Sequence, residues 1–571
     1  MYCNASNPDQ LRQQKQHPLG AAANVLLTSV FKPFARDDVY GSRTINPMEL
    51  YHNQVTKVQG PFSLRMFHRS CGIKLIQANI SAPCTLLDYP SRERFRAELR
   101  SGVYNIVGIS AIPANLKKVA DMCRIIRRES PSSTIVVGGH ISNLEELDVI
   151  LDVDIVVRGE GVRWFRTYLG EDPRQPIDHP VIASAIAPRC MGINLPAGRS
   201  DVAAVLIPSV GCPMGCNFCS TSAMFGGKGH FVNFYENGDE LFAVMNRIQE
   251  KMKSNTFFVL DENFLYHRKR ALELLDLMQQ HGKTWELYIF SSADILAAYS
   301  TEQLIGLGIS WVWIGVEGRF NRYAKNEGVD IVSLVRKLQA NGIRVLGSTI
   351  IGLEDHSPEN MEAVIDWSVA LNTDFHQFML YFAPPGTPLY RRLEKDDNLL
   401  REPDIEIADV HGQYRFNHRH PAFTGNEEQK WLQRAFQRDF DVNGPSVIRM
   451  MGTLLKGWSR HKAHPEKRIR DRFRRQARKF PTVYAGAVWA TRRRYRPEDL
   501  YFERIDCLLR DIYRAFGPFS RLGALSLGVV ILFLLWREDK RRVRKTGWEP
   551  PTILEKSSRK VSGAAKRHDT A

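Results

Sequence analysis

The sequence predicts an α/β protein with two successive domains built on parallel β-sheets, followed by a helical C-terminal region. Residues 20–187 alternate short apolar runs with helical segments, which is typical of a Rossmann-like, doubly wound sheet. Residues 200–400 repeat a strand-then-helix unit six times, which predicts a partial (βα)6 TIM-like barrel. From residue 401 onward the strand pattern fades, and long polar helical stretches replace it.

The first domain is predicted from runs rich in Val and Ile. One helix, over residues 116–128, carries spaced apolar side chains among Lys and Arg. Near-continuous apolar strands joined by helices indicate a parallel sheet covered on both faces. The predicted strands are residues 25–27, 73–76, 105–110, 134–140 and 154–157.

The second domain begins with a predicted strand that runs directly into a cysteine-containing loop. In such a barrel the functional loops lie at the carboxyl ends of the strands, and the cysteines occupy such an end. We therefore expect the chemistry of this protein at that edge. The predicted strands are residues 202–207, 257–260, 286–290, 311–316, 345–351 and 375–382.

Composition favours a folded, multidomain protein with an unusual charge distribution. The chain has 571 residues, 43% of them hydrophobic and 25% charged, with a net charge of +16. Residues 456–496 alone contain 15 Lys and Arg against two acids. Nine irregularly spaced cysteines do not suggest a disulfide framework, and no export signal precedes the first domain, so a reducing compartment is favoured.

The function of the basic C-terminal part has two interpretations. Residues 401–514 form the predicted basic helical region, in which 468–479 resembles either a phosphate-binding nucleic-acid surface or a helix on anionic lipid. Residues 515–536 are a predicted membrane segment, spanning or lying in the plane, and a buried core helix is the alternative. Basic residues on both sides place it at the cytoplasmic face. We expect the basic tail, 537–571, to be disordered.

Three cysteines form the most specific motif. Cys212, Cys216 and Cys219 are separated by four and three residues in a glycine-punctuated loop. An iron–sulfur cube normally takes four thiolates, so three leave one iron open to a further ligand. A zinc knuckle is the alternative, but no fourth Cys or His stands at zinc spacing.

This loop, with Phe218 directly before the last cysteine, resembles that of the radical S-adenosylmethionine (SAM) superfamily. The resemblance implies a 4Fe–4S cluster bound by Cys212, Cys216 and Cys219. It also implies that the open iron binds SAM, that reduction by a donor such as flavodoxin or ferredoxin cleaves SAM to a radical, and that Phe218 lies near these cofactors.

Residues after the later strands resemble further motifs of the superfamily. The resemblance implies that residues 261–263 bind the amino group of SAM, that the serines reach its ribose and that the glycine-rich motif approaches its adenine. Residues 261–263 and the two serines have an alternative interpretation as helix caps or turn residues. The predicted cofactor-binding residues are Asp261, Glu262, Asn263, Ser291, Ser292, Glu317 and Gly352.

The first domain resembles the cobalamin-binding domain of one branch of this superfamily. The runs at 137–140 and 157–161 carry the resemblance, but the Asp-x-His-x-x-Gly motif that supplies a cobalt ligand is absent, and residues 32–38 stand in its place. Either cobalamin binds without a His ligand, or the domain is only a scaffold. His140 is a functional group or an ordinary turn residue.

Together these patterns predict a membrane-associated radical SAM enzyme. We expect it to modify, by methyl transfer or another radical reaction, an unactivated carbon of a lipid or isoprenoid-like substrate. Its partners would then be a hydrophobic small molecule and an anionic membrane surface. Modification of tRNA or another nucleic acid is a second reading, and a non-catalytic iron–sulfur sensor or membrane adaptor is a third.

Overall fold

A computed structural model describes residues 2–4, 15–32, 58–63, 69–184, 189–194, 202–319, 323–543 and 552–557. The N-terminal domain contains a parallel sheet in the order β1-β6-β5-β4-β2-β3. Its central strands are buried along almost their whole length, as expected of a sheet covered on both faces. The strands are Tyr2–Asn4 (β1), Val25–Thr28 (β2), Cys84–Asp88 (β3), Ile106–Ser110 (β4), Thr134–Gly138 (β5) and Ile155–Arg158 (β6).

Helices cover both faces of this sheet, so the doubly wound prediction is confirmed. Leu26 points into a core with the helices on one face. Its neighbours Val25 and Leu27 point into a second core with the helices on the other face. The helices are Cys71–Asn79 (α1), Arg92–Ser101 (α2), Leu116–Glu129 (α3), Leu147–Ile150 (α4) and Gly161–Tyr168 (α5).

The prediction of a strand at residues 73–76 is wrong, because this segment lies inside helix α1. Ile73 packs in the core of the N-terminal sheet, whereas Leu75 packs with residues that begin the second domain. A helix buried between two domains is apolar on more than one face, so its 3.6-residue period is masked. In the sequence, residues 73–76 therefore resemble a buried strand.

The second domain is a six-stranded, all-parallel open barrel in the order β16-β15-β14-β13-β12-β9. A short hairpin, Arg189–Cys190 (β7) and Ile193–Asn194 (β8), precedes it. Between β9 and β12 the strands Ser209–Gly211 (β10) and Phe231–Asn233 (β11) pair antiparallel and frame the cysteine loop. The barrel strands are Ala204–Leu206 (β9), Thr256–Val259 (β12), Glu286–Phe290 (β13), Ile309–Glu317 (β14), Arg344–Ile351 (β15) and Phe375–Leu380 (β16).

Helices follow the barrel strands, as the repeated pattern predicted. Four of these eight helices are capped at their first turn by a polar side chain, for example by the capping box that Ser300 forms with Gln303. The helices are Ser220–Phe225 (α6), Gly238–Met252 (α7), Arg268–Gln280 (α8), Ala293–Ala297 (α9), Thr301–Gly306 (α10), Ile331–Ala340 (α11), Met361–Ala370 (α12) and Pro388–Lys395 (α13).

The first α-helix of the C-terminal region begins at residue 427, since residues 401–426 form turns, loops and one short 3-10 helix, Ile407–Asp409. A π-helical turn, Phe480–Tyr484, leads into the helix that packs along the last one. The helices are Glu427–Asn443 (α14), Ser446–His461 (α15), Lys467–Ala477 (α16), Ala485–Arg494 (α17), Phe502–Phe516 (α18) and Pro518–Val543 (α19).

Helix α16 is less available as a binding surface than its sequence suggested. Arg468 and Arg472 are buried, and each donates a hydrogen bond to a backbone carbonyl in α10. Arg475 forms a 2.8 Å ion pair with Glu286 at the start of β13. These three arginines attach the helix to the barrel. Fewer positive charges of the 468–479 cluster are therefore available to bind nucleic acid or lipid.

The prediction of a disordered tail is wrong at two places. Residues 537–543 continue helix α19, and Ile553–Ser557 (β17) pairs antiparallel with β3 at the edge of the N-terminal sheet. Glu555 forms an ion pair with Lys74, and Lys556 lies 3.4 Å from Glu98. A five-residue edge strand held by charged pairs lacks the apolar alternation by which strands are found in a sequence.

Candidate active site

The cysteine loop begins where β10 ends. Gly211 and Gly215 have positive φ values of 88° and 71°. A Cβ at Gly211 would lie 2.9 Å from the Cα of Phe231, and one at Gly215 would lie 2.7 Å from the Cα of Lys228. Both positions therefore need glycine, which lets the loop fold tightly against the segment that returns through β11.

The three predicted cluster ligands come together in this loop. Burial raises the pKa of Cys212 to about 12 and that of Cys219 to about 11, and it also raises the pKa of Cys216. The thiols are close enough to influence one another's ionisation. Among the residues that the structure describes, no set of three or more Cys, His, Asp and Glu side chains could hold a single metal ion.

The donor chemistry of this loop fits an iron–sulfur cluster. A cluster is bound by thiolates that reach it from several sides, and the loop supplies three partly exposed thiols from one turn. Cluster binding must displace the thiol protons, as metal binding to cysteine generally does. When bound, a cluster with an open iron supplies one-electron chemistry to SAM.

The two acidic residues after β12, Asp261 and Glu262, have different surroundings. Asp261 is buried and accepts hydrogen bonds from Arg270 at 3.0 Å and from Ser209 at 2.8 Å, so it joins the cysteine loop's strand to the barrel. Glu262 borders the cavity beside the cysteines and accepts a 3.2 Å bond from Thr221. Desolvation of the Glu262 carboxyl at this cavity raises its pKa.

Asn263, Ser291 and Ser292 form one hydrogen-bonded group, although they come from two strand ends. Asn263 donates to the Ser292 hydroxyl at 3.0 Å and accepts from the Ser291 hydroxyl at 3.0 Å. All three side chains are buried. The structure thus places these predicted SAM-binding residues side by side, at the same end of the barrel as the cysteines. Their binding of SAM stays a prediction.

Glu317 ends β14 in a left-handed conformation, with φ of 61°, and forms a buried ion pair with Lys325. Burial alone would lower the pKa of Lys325, but Glu317 and Cys216 raise it above its usual value. Lys325 also lies 5.6 Å from the ring centre of Phe218. The sequence analysis did not identify Lys325. The only local signal for it is its position eight residues after Glu317.

Two further residues that the sequence reading missed surround Phe218. Tyr323 packs edge-on against the Phe218 ring at 5.1 Å, and Tyr381 does so at 6.4 Å. Burial raises the pKa of both tyrosine hydroxyls. An aromatic enclosure of this kind fixes the orientation of Phe218 beside the cysteines.

Gly352 follows β15 with φ of 81°. A Cβ there would lie 2.2 Å from the ring of Phe416, so glycine is required by close packing. Its N–H donates to His356 at 3.1 Å. The predicted approach to adenine is not tested by these contacts and stays a prediction.

The loop after β16 supports the cysteines from the other side. Thr387 caps helix α13 by accepting a hydrogen bond from the Tyr390 N–H. The next turn places the Leu389 N–H 3.0 Å from the carbonyl of Asn217, inside the cysteine loop. The Pro-rich run at 384–388 therefore holds the end of the barrel against the cysteine loop.

A cavity of about 440 Å³ lies between the two α/β domains. On one side it is bounded by the carboxyl ends of β4, β5 and β6, and on the other by β10, helix α6 and the Asp261–Glu262 turn. Ligands bind at the carboxyl edge of open parallel sheets. The cavity therefore joins the expected binding edge of the first domain to the surroundings of the cysteines.

The first domain's side of this cavity suits a large, flat ligand. Glycines at 108, 138, 139, 159 and 161 form much of that wall, so backbone is accessible where side chains would otherwise project. His140 borders the same space, and its buried Nδ1 has no hydrogen-bond partner within the described residues. These features fit cobalamin. Residues 33–38, which replace the usual cobalt-ligand motif, lie outside the described residues.

Two family models match the chain, one in each α/β domain. Residues 63–169 match the B12 binding domain. Residues 206–368 match the Radical SAM superfamily. The second match contains the cysteine loop and the strand ends that carry the residues described above.

Curated relatives are distant, and several of them are methyltransferases, whereas others are anaerobic magnesium-protoporphyrin IX monomethyl ester cyclases. An uncharacterized methyltransferase of Pyrococcus horikoshii is 25% identical over 58% of this chain and 78% of its own length. The bacteriochlorophyllide d C-12(1)-methyltransferase of Chlorobaculum tepidum is 26% identical over 44% and 54%. The hopanoid C-2 methylase of Rhodopseudomonas palustris is 26% identical over 36% and 41%. The chain thus spans about half the length of the last two.

A solved structure with a similar arrangement is the radical SAM methyltransferase TsrM of Kitasatospora setae. The match has a TM-score of 0.49 at 13% identity and covers 80% of this chain and 99% of that one. The cobalamin-dependent SAM radical enzyme OxsB gives a TM-score of 0.47 at 13% identity, over 94% and 84%.

The two domain matches agree with the geometry of the chain itself. The cysteine loop lies in the radical SAM match, and the glycine-lined wall lies in or near the B12 binding match. Their cofactors are a 4Fe–4S cluster with SAM, and cobalamin. The chain is therefore an enzyme of the radical SAM superfamily, in the branch that carries a B12-binding domain before the radical SAM domain.

Proposed function

We propose that this enzyme transfers a methyl group to an unactivated carbon of a lipid or isoprenoid-like substrate at the cytoplasmic face of a membrane. The observation that carries the proposal is the shared cavity, since one space is bordered by the carboxyl edge of the first domain's sheet and by the surroundings of the cluster loop. When bound, the cluster and SAM supply a carbon radical, and cobalamin supplies the methyl group.

The chain's own residues would bind and orient the reactants. Asn263 with Ser291 and Ser292 offers an assembled set of donors and acceptors, and the Glu317–Lys325 pair offers both charges beside Phe218. Apolar side chains line much of the rest of the cavity and exclude water from it. Exclusion of water protects reactive species from side reactions.

Helix α19 supports the membrane part of this proposal. By length and composition, Pro518–Arg541 is the one helix in the described part of the chain that could cross a membrane. Most of its large apolar side chains are exposed, whereas its buried face combines the small residues Gly523, Ala524 and Gly528 with Ile531 and Leu535. A water-soluble helix has the opposite arrangement. The exposed residues are Phe519, Leu522, Leu525, Val529, Val530, Phe533 and Trp536.

Both ends of α19 contact the same folded body, which favours an in-plane position over a spanning one. Helix α18 precedes its start with a single glycine between them. Near its other end, Asp539 forms a 2.6 Å ion pair with Arg494 of α17, and Leu534 packs on the turn between β7 and β8. The chain then returns to the N-terminal sheet as β17. A spanning helix of about 36 Å would place these ends on opposite sides of a bilayer.

The relatives support a hydrophobic substrate without naming it. Two of them act on a bacteriochlorophyllide and on hopanoids. Both are hydrophobic molecules, so an apolar cavity next to a lipid-facing helix is a consistent arrangement.

The test is isotope transfer with the complete enzyme. Anaerobically prepared full-length protein, reconstituted with its cofactors, is incubated with methyl-deuterated SAM and lipid extract, and the extract is analysed by mass spectrometry. We expect deuterated methyl groups in a lipid-soluble product and none with Cys216→Ala. Transfer to RNA or to water-soluble metabolites alone would contradict the proposal.

A further inference from the structure

A second large cavity lies far from the cysteines in sequence, between helices α15 and α18 of the C-terminal region. It is a groove of about 730 Å³ with an apolar floor. Ile448 and Leu455 from α15 and Ile505 from α18 form part of that floor, and all three are buried. No part of the reaction described above uses this groove.

Basic side chains surround the groove. Arg449, Lys456, Lys462, Arg504 and Arg514 line it, and Asp511 is the one acidic residue that does so. The described residues of the chain therefore leave an excess of positive charge along an apolar surface. Such a surface matches a ligand with an anionic head and a hydrocarbon body.

The basic residues differ in how firmly they are engaged. Arg449 is buried and bound to Asp439 at 2.6 Å, so it is part of the fold. Lys456 is exposed and forms no salt bridge within the described chain, and Lys462 lies 4.9 Å from the Trp458 ring centre without an acidic partner there. These two lysines are the available anion contacts.

The groove ends close to the start of α19. Ala515 lines its end, and the next residue, Phe516, stacks on Trp458 with ring centres 4.5 Å apart. Phe519, which is 79% exposed, begins the apolar face of α19 three residues later. A molecule bound in the groove could therefore extend its chains toward that face.

We propose that this groove binds the headgroup of one anionic phospholipid. The phosphate would contact Lys456 and Lys462, the floor would receive the glycerol and first methylene groups, and the acyl chains would continue along α19 into the leaflet. The inference rests on the in-plane docking proposed above. It assigns the groove a lipid-recognition role separate from the catalytic cavity.

The test uses full-length protein and a soluble lipid, so that binding does not require a bilayer. Dihexanoyl phosphatidylglycerol below its micelle concentration is titrated into the wild type and into a Lys456→Glu/Lys462→Glu variant. We expect binding that is at least tenfold weaker in the variant. The matched control, Lys251→Glu/Lys269→Glu, reverses two exposed lysines on the barrel helices and keeps wild-type affinity.

Other ligands and a vesicle assay separate the outcomes. Equal binding of inorganic phosphate would overturn the proposal in favour of a simple anion site, and equal binding of dihexanoyl phosphatidylcholine would overturn its selectivity. An unchanged melting temperature confirms that the variant is folded. Binding of the soluble lipid by protein that does not sediment with vesicles would refute in-plane docking but keep the groove, whereas sedimentation with no effect of the variant on lipid binding would overturn the groove alone.

Discussion

Replacing the exposed apolar side chains of α19 should abolish membrane binding while leaving the fold intact. Leu522, Val529 and Phe533 are 67%, 59% and 57% exposed. Complete burial of such a side chain contributes roughly 1.5–3 kcal/mol, so the exposed portions contribute about 1–2 kcal/mol each. The triple serine variant should lose roughly 3–5 kcal/mol of partitioning free energy, which corresponds to on the order of a hundred- to several-thousand-fold.

The assay is sedimentation with vesicles of phosphatidylcholine and phosphatidylglycerol, over a range of lipid concentrations. The matched control replaces Val103 and Val149, which are both 80% exposed on the N-terminal domain, by serine. We expect the control to bind vesicles like the wild type, and both variants to keep the wild-type melting temperature without lipid. If the α19 variant still binds vesicles with unchanged affinity, the reasoning from its exposed face is wrong.

Three further predictions concern the fold. Lys325→Met leaves Glu317 buried without its partner, and should lower the free energy of unfolding by about 3–5 kcal/mol and weaken SAM binding, as measured by denaturant titration and calorimetry. Gly486→Val should cost about 1–3 kcal/mol, because a Cβ there already lies 2.9 Å from the Leu527 Cβ, whereas Gly452→Ala, with nothing within 4 Å, should not lower the melting temperature. Burial lowers the pKa of His376 to about 4, so its unfolded form binds a proton first as the pH falls below about 6.5. Stability should therefore fall between pH 6.5 and 4, by up to about 1.4 kcal/mol per pH unit from this group, and less in His376→Asn.

The sequence identifies most of the active-site end of the barrel because that information is local. The spacing of Cys212, Cys216 and Cys219 is a property of one loop, and polar residues directly after a predicted strand must lie at its carboxyl end. The structure accordingly gathers Asn263, Ser291 and Ser292 into one network from two strand ends. Short-range patterns were sufficient for this part.

Features that depend on distant contacts were missed or misread. Asp261 could not be distinguished from Glu262 in the sequence, because the buried partner that engages it, Arg270, lies on the following helix. Helix α1 was read as a strand because two domains bury it, and β17 was missed because its pairing partner, β3, is more than 460 residues away. In each case the deciding interaction is tertiary, and no local pattern carries it.

Electron paramagnetic resonance tests the central claim most directly, which is that cluster and cobalamin share one cavity. Full-length protein is reconstituted anaerobically with both cofactors, and the cluster and cob(II)alamin are brought to their paramagnetic states together. The account predicts that each signal is broadened or split by the other, and that Cys216→Ala restores an isolated cob(II)alamin signal. Two independent, unperturbed signals in the wild type would contradict it.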